Sequence, residues 1–217
     1  VLELVILDCD GVLVDSEPLS NQALSEALTA IGLPCTAEDC VRDFLGRSMA
    51  SVLGEVGRRL GRPAPDGFEA DFRARAQAAF SRALEPVPGI ANALDRIATP
   101  TCVASSGPHA KIRFTLGHTH LLERFEGRIF SATEVARGKP APDLFLHAAA
   151  AMGAHPARCA VVEDSPVGVA AAHAAGMRAL GFAARTPAGA LASARTFADM
   201  GELPELLAEL GAAVSYP

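Results

Sequence analysis

Val1-Leu2-Glu3-Leu4-Val5-Ile6-Leu7-Asp8-Cys9-Asp10-Gly11 opens the chain and decides its fold. The first seven residues are almost all Leu, Val and Ile, and they stop at a polar turn. Such a run reads as a strand buried on both faces, as in a parallel sheet covered by helices. Short runs of the same kind recur at 101–104, 160–162 and Arg178–Phe182. A helical pattern precedes each of them, at 90–97, 143–152 and 166–175. Ser165 is placed to cap the last of these, with Pro166 at its first helical position and Gly176 where a C-terminal cap belongs. Strands alternating with helices predict an open α/β sheet.

The rhythm breaks between Ser16 and Leu84, where helical patterns occur without a strand. Residues 18–31, Ala37–Phe44, Met49–Leu60 and 68–84 predict a small helical bundle, with breaks at Gly32-Leu33-Pro34, at Gly46 and across 61–67. Thr36 and Asp39 have the spacing of a capping box. Glu85-Pro86-Val87-Pro88-Gly89 is a turn-rich return to the α/β part. The expected organisation is a core of residues 1–15 and 85–217, interrupted by a helical unit of residues 16–84.

The 217 residues suffice for a sizeable core and a second unit, and the formal net charge of −6 argues against nucleic acid or an anionic membrane as partner. No apolar run reaches the length of a membrane span, and no basic-then-apolar leader is seen. The chain begins at Val1 rather than Met, so some preceding residues are expected to be missing. Five cysteines without CxxC spacing read as reduced thiols of a cytoplasmic protein.

Four polar clusters end these strands or sit on stiff loops. Asp8 and Asp10, at i and i+2, project together while Cys9 points the other way. They lie beyond the carboxyl end of a strand, where open α/β sheets bind ligands, and two carboxylates there repel unless a cation or proton intervenes. An ordinary Asp-Gly turn is the competing reading of that pair. Ser105-Ser106-Gly107 offers hydroxyls and free backbone N–H groups, a natural phosphate cradle, although Ser before a helix is more often only a cap. Lys139 stands between Gly138 and Pro140, where the prolines hold the backbone; its bland reading is a solvated surface Lys. Glu163 and Asp164 end a further apolar run. Carboxylates with water and substrate oxygens suit Mg²⁺, and the competing reading is stabilisation of the helix that follows.

Taken in order, Asp8-x-Asp10-Gly-Val-Leu-Val-Asp-Ser, Ser105, Gly-Lys139-Pro-x-Pro-Asp and Glu163-Asp164-Ser resemble the haloacid dehalogenase-like hydrolase superfamily across essentially the whole chain. The helical insert resembles the cap of the branch that holds β-phosphoglucomutase and many sugar-phosphate phosphatases. The resemblance implies a Rossmann-like core, a mobile cap and Mg²⁺. It also implies that Asp8 is a nucleophile forming an aspartyl-phosphate, and that Asp10 gives and takes the proton. Mg²⁺ is expected at Asp8, at the backbone carbonyl of Asp10 and at Asp164, with Glu163 bound directly or through water. Lys139 is expected to neutralise charge between Asp8 and the phosphoryl group, and Ser105, with Ser106, to hold phosphoryl oxygens.

Within the superfamily, Asp10 argues against a dehalogenase, whose halide needs no proton. The lack of any Lys in 16–84 argues against phosphonate hydrolysis through a Schiff base. β-Phosphoglucomutase is the alternative enzyme; its cap His has no counterpart in Leu19-Ser20-Asn21, and its cap Arg is matched only loosely by Gly46-Arg47-Ser48-Met49. A catalytically inactive binding protein on the same fold is the alternative of another class, although every core acid is retained. The run Ser105-Ser106-Gly107-Pro108-His109-Ala110-Lys111 resembles that of bacterial 6-phosphogluconate phosphatases. The expected partner is therefore a small phosphorylated metabolite, a sugar or sugar-acid phosphate, with Glu17, Asn21 and Arg47 as candidate contacts to it. The enzyme is expected to be a monomer or small homo-oligomer. His118-Thr119-His120 has a metal-like look but reads as surface.

Overall fold

A computed structural model describes residues 1–44, 49–191 and 194–213. The chain divides into two compact units, Val1–Asp15 with Glu85–Pro217, and Ser16–Leu84.

The larger unit is built on a six-stranded, all-parallel sheet: β1 (Leu4–Leu7), β2 (Thr101–Ser105), β3 (Ile129–Ser131), β4 (Cys159–Glu163), β5 (Arg178–Phe182) and β6 (Arg195–Phe197), in the order β3-β2-β1-β4-β5-β6. β1 is central, and all four of its residues are buried, as expected for a strand covered on both faces. The order reverses direction beside β1, so the crevice beyond its carboxyl end lies at a topological switch point. Two strands were not expected from the sequence. β3 and β6 are three-residue edge strands, too short to show a period.

The four helices of the smaller unit are α1 (Glu17–Ala30), α2 (Ala37–Phe44), α3 (Met49–Leu60) and α4 (Phe68–Ala83). Leu24, Leu28, Cys40, Val56 and Phe68 form its own apolar core. Thr36 and Asp39 make the reciprocal capping bonds at the start of α2, with Thr36 N donating to Asp39 Oδ2 at 3.0 Å and Asp39 N to Thr36 Oγ1 at 3.1 Å. The break expected at Gly46 lies outside the described residues.

Back in the larger unit, α5 (Ile90–Arg96), α6 (His109–His118), α7 (Asp143–Ala151), α8 (Pro166–Ala174) and α9 (Leu203–Ala213) accompany the sheet. α7 and α8 are alanine-rich, and small side chains let them lie close on it: Ala148, Ala149, Ala171 and Ala172 are fully buried against Ile6, Ala104 and Val161. Among the described residues, no helix is long and apolar enough to cross a membrane.

Candidate active site

β1 stops because Asp8 begins a tight return. Leu13 N and Val14 N both donate to the Cys9 carbonyl, and Gly11, at φ +77°, supplies the left-handed turn that other residues rarely adopt. A side chain on Gly11 would overlap the Asp164 carboxylate, so glycine also makes room for that group. Asp8 stays tied to the sheet through its N–H to the Val162 carbonyl at 3.0 Å. Cys9 faces away and is buried, its Sγ 3.7 Å from Thr115 Oγ1, as the alternation of a strand requires.

Lys139 reaches in from the loop before α7, and its side chain is only 4% exposed. Its ammonium donates to Asp8 Oδ1 at 2.7 Å, to Glu163 Oε1 at 2.5 Å and to the Ala104 carbonyl at 3.2 Å. The surface Lys of the bland reading is thus a buried cation between two carboxylates. Burial works against the Lys139 charge, but Asp8 and Glu163 outweigh it and hold the ammonium above the ordinary Lys range. Burial pushes the Asp8 carboxyl up to about 7; Lys139 opposes that rise, whereas Glu163 and Asp10 add to it.

Glu163 is completely buried at the last position of β4. Its Oε2 accepts from Ser165 N at 3.1 Å and from Ser165 Oγ at 2.8 Å. The same hydroxyl caps α8 by accepting from Gly168 N at 3.1 Å. Adjacent side chains on a strand diverge, but the chain turns after Glu163, and Asp164 swings back beside it. Asp8, Glu163 and Asp164 each offer an oxygen within 4.8 Å of the others. This is the one group of metal-ligating side chains found among the described residues, and neither His118 nor His120 belongs to it. An all-oxygen donor set of this kind fits Mg²⁺, which prefers hard oxygen ligands.

Ser105 ends β2, buried, with its Oγ accepting from Gly107 N at 3.1 Å. Ser131 Oγ donates to the Gly107 carbonyl at 2.7 Å and so ties this loop to the end of β3. Ser106 is exposed. Asp10 Oδ2 accepts from Lys111 Nζ at 2.7 Å. No role for Lys111 was read from the sequence. Its partner is 101 positions away, and one Lys near the start of a helix carries no local signal. In the helical unit, Asn21 Nδ2 donates to the Glu17 carbonyl at 2.8 Å and to Glu17 Oε2 at 3.3 Å. Arg47 lies outside the described residues.

A parallel sheet with a switch point at β1 and carboxylates gathered beyond its strand ends defines a Rossmann-like hydrolase core with a helical insert. The chain belongs to the haloacid dehalogenase-like hydrolase family, which it matches over residues 2–176. It is 32% identical over 208 residues to the 6-phosphogluconate phosphatase of Escherichia coli, covering 94% of each chain. In structure it is similar to a conserved haloacid dehalogenase-like protein of Agrobacterium tumefaciens, with TM-score 0.89 and 34% identity over 97% of this chain and 99% of that one. It is also similar to a haloacid dehalogenase family hydrolase of Deinococcus radiodurans solved with bound phosphate and sodium, with TM-score 0.82 and 30% identity over 97% and 96% of the two chains.

Proposed function

We propose that this chain is a Mg²⁺-dependent phosphatase that hydrolyses a sugar or sugar-acid phosphate through an aspartyl-phosphate on Asp8. The observation that carries the reading is the buried Asp8–Lys139–Glu163 triad beyond the end of β1, with Asp10 and Ser105 beside it. The similarity to the E. coli 6-phosphogluconate phosphatase supports the substrate class.

In the first half-reaction an Asp8 oxygen attacks phosphorus as the bond to the leaving oxygen breaks, and Asp10 gives that oxygen a proton. In the second, Asp10 takes a proton from water as the water oxygen bonds phosphorus and the Asp8–phosphorus bond breaks, releasing inorganic phosphate. Splitting the displacement in two lowers each barrier, and one carboxyl serves as acid and then base. Lys139 holds Asp8 in place and offsets the charge of an incoming dianion, while Ser105, with Ser106, donates to phosphoryl oxygens. Asp8, Asp164 and the Asp10 backbone carbonyl would hold Mg²⁺, with Glu163 reaching it directly or through water. Both Glu163 oxygens are already engaged, so its first task is to position Lys139. When bound, Mg²⁺ supplies charge neutralisation between the Asp8 carboxylate and the phosphoryl oxygens. Glu17, Asn21 and Arg47 are proposed to contact the leaving group from the helical unit. The small phosphorylated metabolite is the proposed partner, and the five free cysteines accord with a cytoplasmic setting.

The test is phosphate release from a panel of sugar phosphates, sugar-acid phosphates and p-nitrophenyl phosphate, with Mg²⁺ and with EDTA, in the natural protein and in Asp8→Asn. Release that needs Mg²⁺, favours one or two sugar derivatives and vanishes in a folded Asp8→Asn protein is expected. Hexose 1-phosphate isomerisation without release would favour the mutase, and substantial turnover by Asp8→Asn would sink the covalent mechanism.

A further inference from the structure

Cys35 and Cys40 bring their sulfurs to within 3.6 Å of each other in the helical unit. All five cysteines of the chain are free thiols; four are buried, and Cys35 alone is half-buried and so open to solvent. The other three are held apart from that pair by the larger unit's own contacts. Cys9 Sγ stands 3.7 Å from Thr115 Oγ1, Cys159 Sγ donates to the His155 carbonyl at 3.4 Å, and Cys102 is completely buried on β2.

The contact follows from the way α2 begins. Thr36 precedes its first residue, Asp39 is its third, and the reciprocal bonds between them form a capping box. In that motif the residue before the cap packs on the fourth residue of the helix, and these two positions are Cys35 and Cys40. Apolar side chains ordinarily fill both; here both are thiols. The turn is held in place on either side. Ser25 Oγ donates to the Cys35 carbonyl at 2.6 Å, and Cys40 N donates to the Thr36 carbonyl at 3.1 Å. Cys40 belongs to the apolar core of the unit, with Leu24, Leu28 and Phe44. Local geometry thus presses a half-buried thiol against a buried one, and a disulfide bond of about 2.05 Å is a short step from that contact.

We propose that Cys35 and Cys40 are a redox-active dithiol, a modification site that a peroxide closes to a disulfide and a small thiol reopens. Cys35 meets the oxidant. Its sulfur bonds one peroxide oxygen as the O–O bond breaks, and the thiol proton leaves with the departing hydroxide as water, giving a sulfenic acid. The Cys40 sulfur then attacks the Cys35 sulfur. The S–O bond breaks, the S–S bond forms, and the hydroxide takes the Cys40 proton as a second water. Two thiols are oxidised and one peroxide is reduced; two small thiols reverse the change and become a disulfide themselves. The division of labour follows burial. Burial pushes the Cys40 thiol up to about 12, and the neighbouring Cys35 adds to the rise, so Cys40 offers an oxidant almost no thiolate. Its place against Cys35 offsets that deficit in the closing step.

The test treats the folded natural protein with hydrogen peroxide, alkylates the remaining thiols in urea and cleaves the chain after glutamate. Glu38 lies between the two cysteines, so the peptides on either side of it stay joined only by a Cys35–Cys40 disulfide. The expected product is lighter by two hydrogens before alkylation and keeps those peptides joined. Cys9, Cys102 and Cys159 are expected to be alkylated as thiols, and dithiothreitol is expected to restore Cys35 and Cys40. In Cys40→Ala, dimedone is expected to trap the Cys35 sulfenic acid about tenfold more than in the natural protein, because no partner thiol consumes it. If Cys40→Ala does not fold, as judged by circular dichroism, the peptides of the natural protein decide the matter alone. A Cys35 that goes on to sulfinic acid unpaired, a disulfide to another cysteine or to a second chain, or five surviving thiols would each overturn the inference and leave the pair as helix packing. Equal dimedone trapping in the natural protein and a folded Cys40→Ala would do the same.

Discussion

Gly168 sits so close to Glu163 that a methyl group on its Cα would overlap the carboxylate carbon and both oxygens. The first turn of α8 thus forms one wall around a fully buried acid, and the acid in turn holds the Lys139 ammonium at 2.5 Å. The end of the site and the start of the helix share one short segment, Glu163 to Gly168.

Gly168→Ala follows directly. A Gly→Ala change within a helix ordinarily stabilises by about 1 kcal/mol. Here the methyl displaces Glu163, so the variant is expected to melt lower and to lose turnover with sugar phosphate by about 10²-fold through misplacement of Lys139. Gly54→Ala in α3, where an added Cβ meets nothing within 4 Å, is the control and is expected to melt higher. The two melting curves and one rate measurement decide it; equal gains at both sites would show that Glu163 yields its place without cost.

Ser165→Ala removes one hydroxyl with two tasks. It caps Gly168 N at 3.1 Å and donates to Glu163 Oε2 at 2.8 Å. Loss of the cap alone predicts about 1 kcal/mol. The freed carboxylate oxygen adds a further loss, because a buried acceptor with a missing donor keeps its desolvation cost. Urea unfolding is expected to exceed the cap value, and Ser165→Thr is expected to recover most of it. A loss no larger than a surface cap would show that Ser165 N holds Glu163 unaided.

Lys139→Met leaves Asp8 and Glu163 buried together with their shared cation gone. Breaking such a pair typically costs about 3–5 kcal/mol, far above the usual surface substitution. The variant is expected to be inactive and to unfold at markedly lower urea. Lys139→Met, Glu163→Gln, which removes one of the stranded charges, is expected to regain part of the stability and none of the activity. A single variant as stable as the natural protein would mean that the two acids relieve each other by taking up a proton.

Much of this site is legible in the sequence because its parts obey local rules. Asp8, Ser105 and Glu163 each follow or close an apolar run, and parallel strands present such ends on one side of a sheet. Ser165 and Pro166 announce a helix start by composition alone. What stays hidden depends on distant partners. Lys111 looks like any helix-surface Lys until the sheet brings Asp10 to it across 101 positions. Likewise, Glu163 reads as a metal ligand from its type, and only the fold shows both its oxygens already spoken for by Lys139 and Ser165. The edge strands β3 and β6 fail for a simpler reason: Ile-Phe-Ser and Arg-Thr-Phe are too short to display alternation or a buried run.

Proton binding at Asp8 and Mg²⁺ binding are expected to compete. Burial raises the Asp8 carboxyl from its ordinary 3.8 to about 7, with Glu163 and Asp10 adding to the rise and Lys139 opposing it. For an acid whose value is higher in the folded chain, the neutral form adds stability. That contribution is full below the unfolded value and is lost as pH rises through about 7. If Asp8 holds Mg²⁺ as proposed, the ion needs the carboxylate, so binding would displace the proton at low pH and need not do so at high pH. The Mg²⁺-induced rise in melting temperature is therefore expected to be small at about pH 5.5, to grow through neutrality and to level off above about pH 8. Apparent affinity below neutrality should weaken by about tenfold per pH unit, the slope of one linked proton. Asp8→Asn has no proton to displace and is expected to show a weak, pH-independent shift. The same shift at every pH in the natural protein, or a pH dependence that survives in Asp8→Asn, would remove Asp8 from the group that holds the ion.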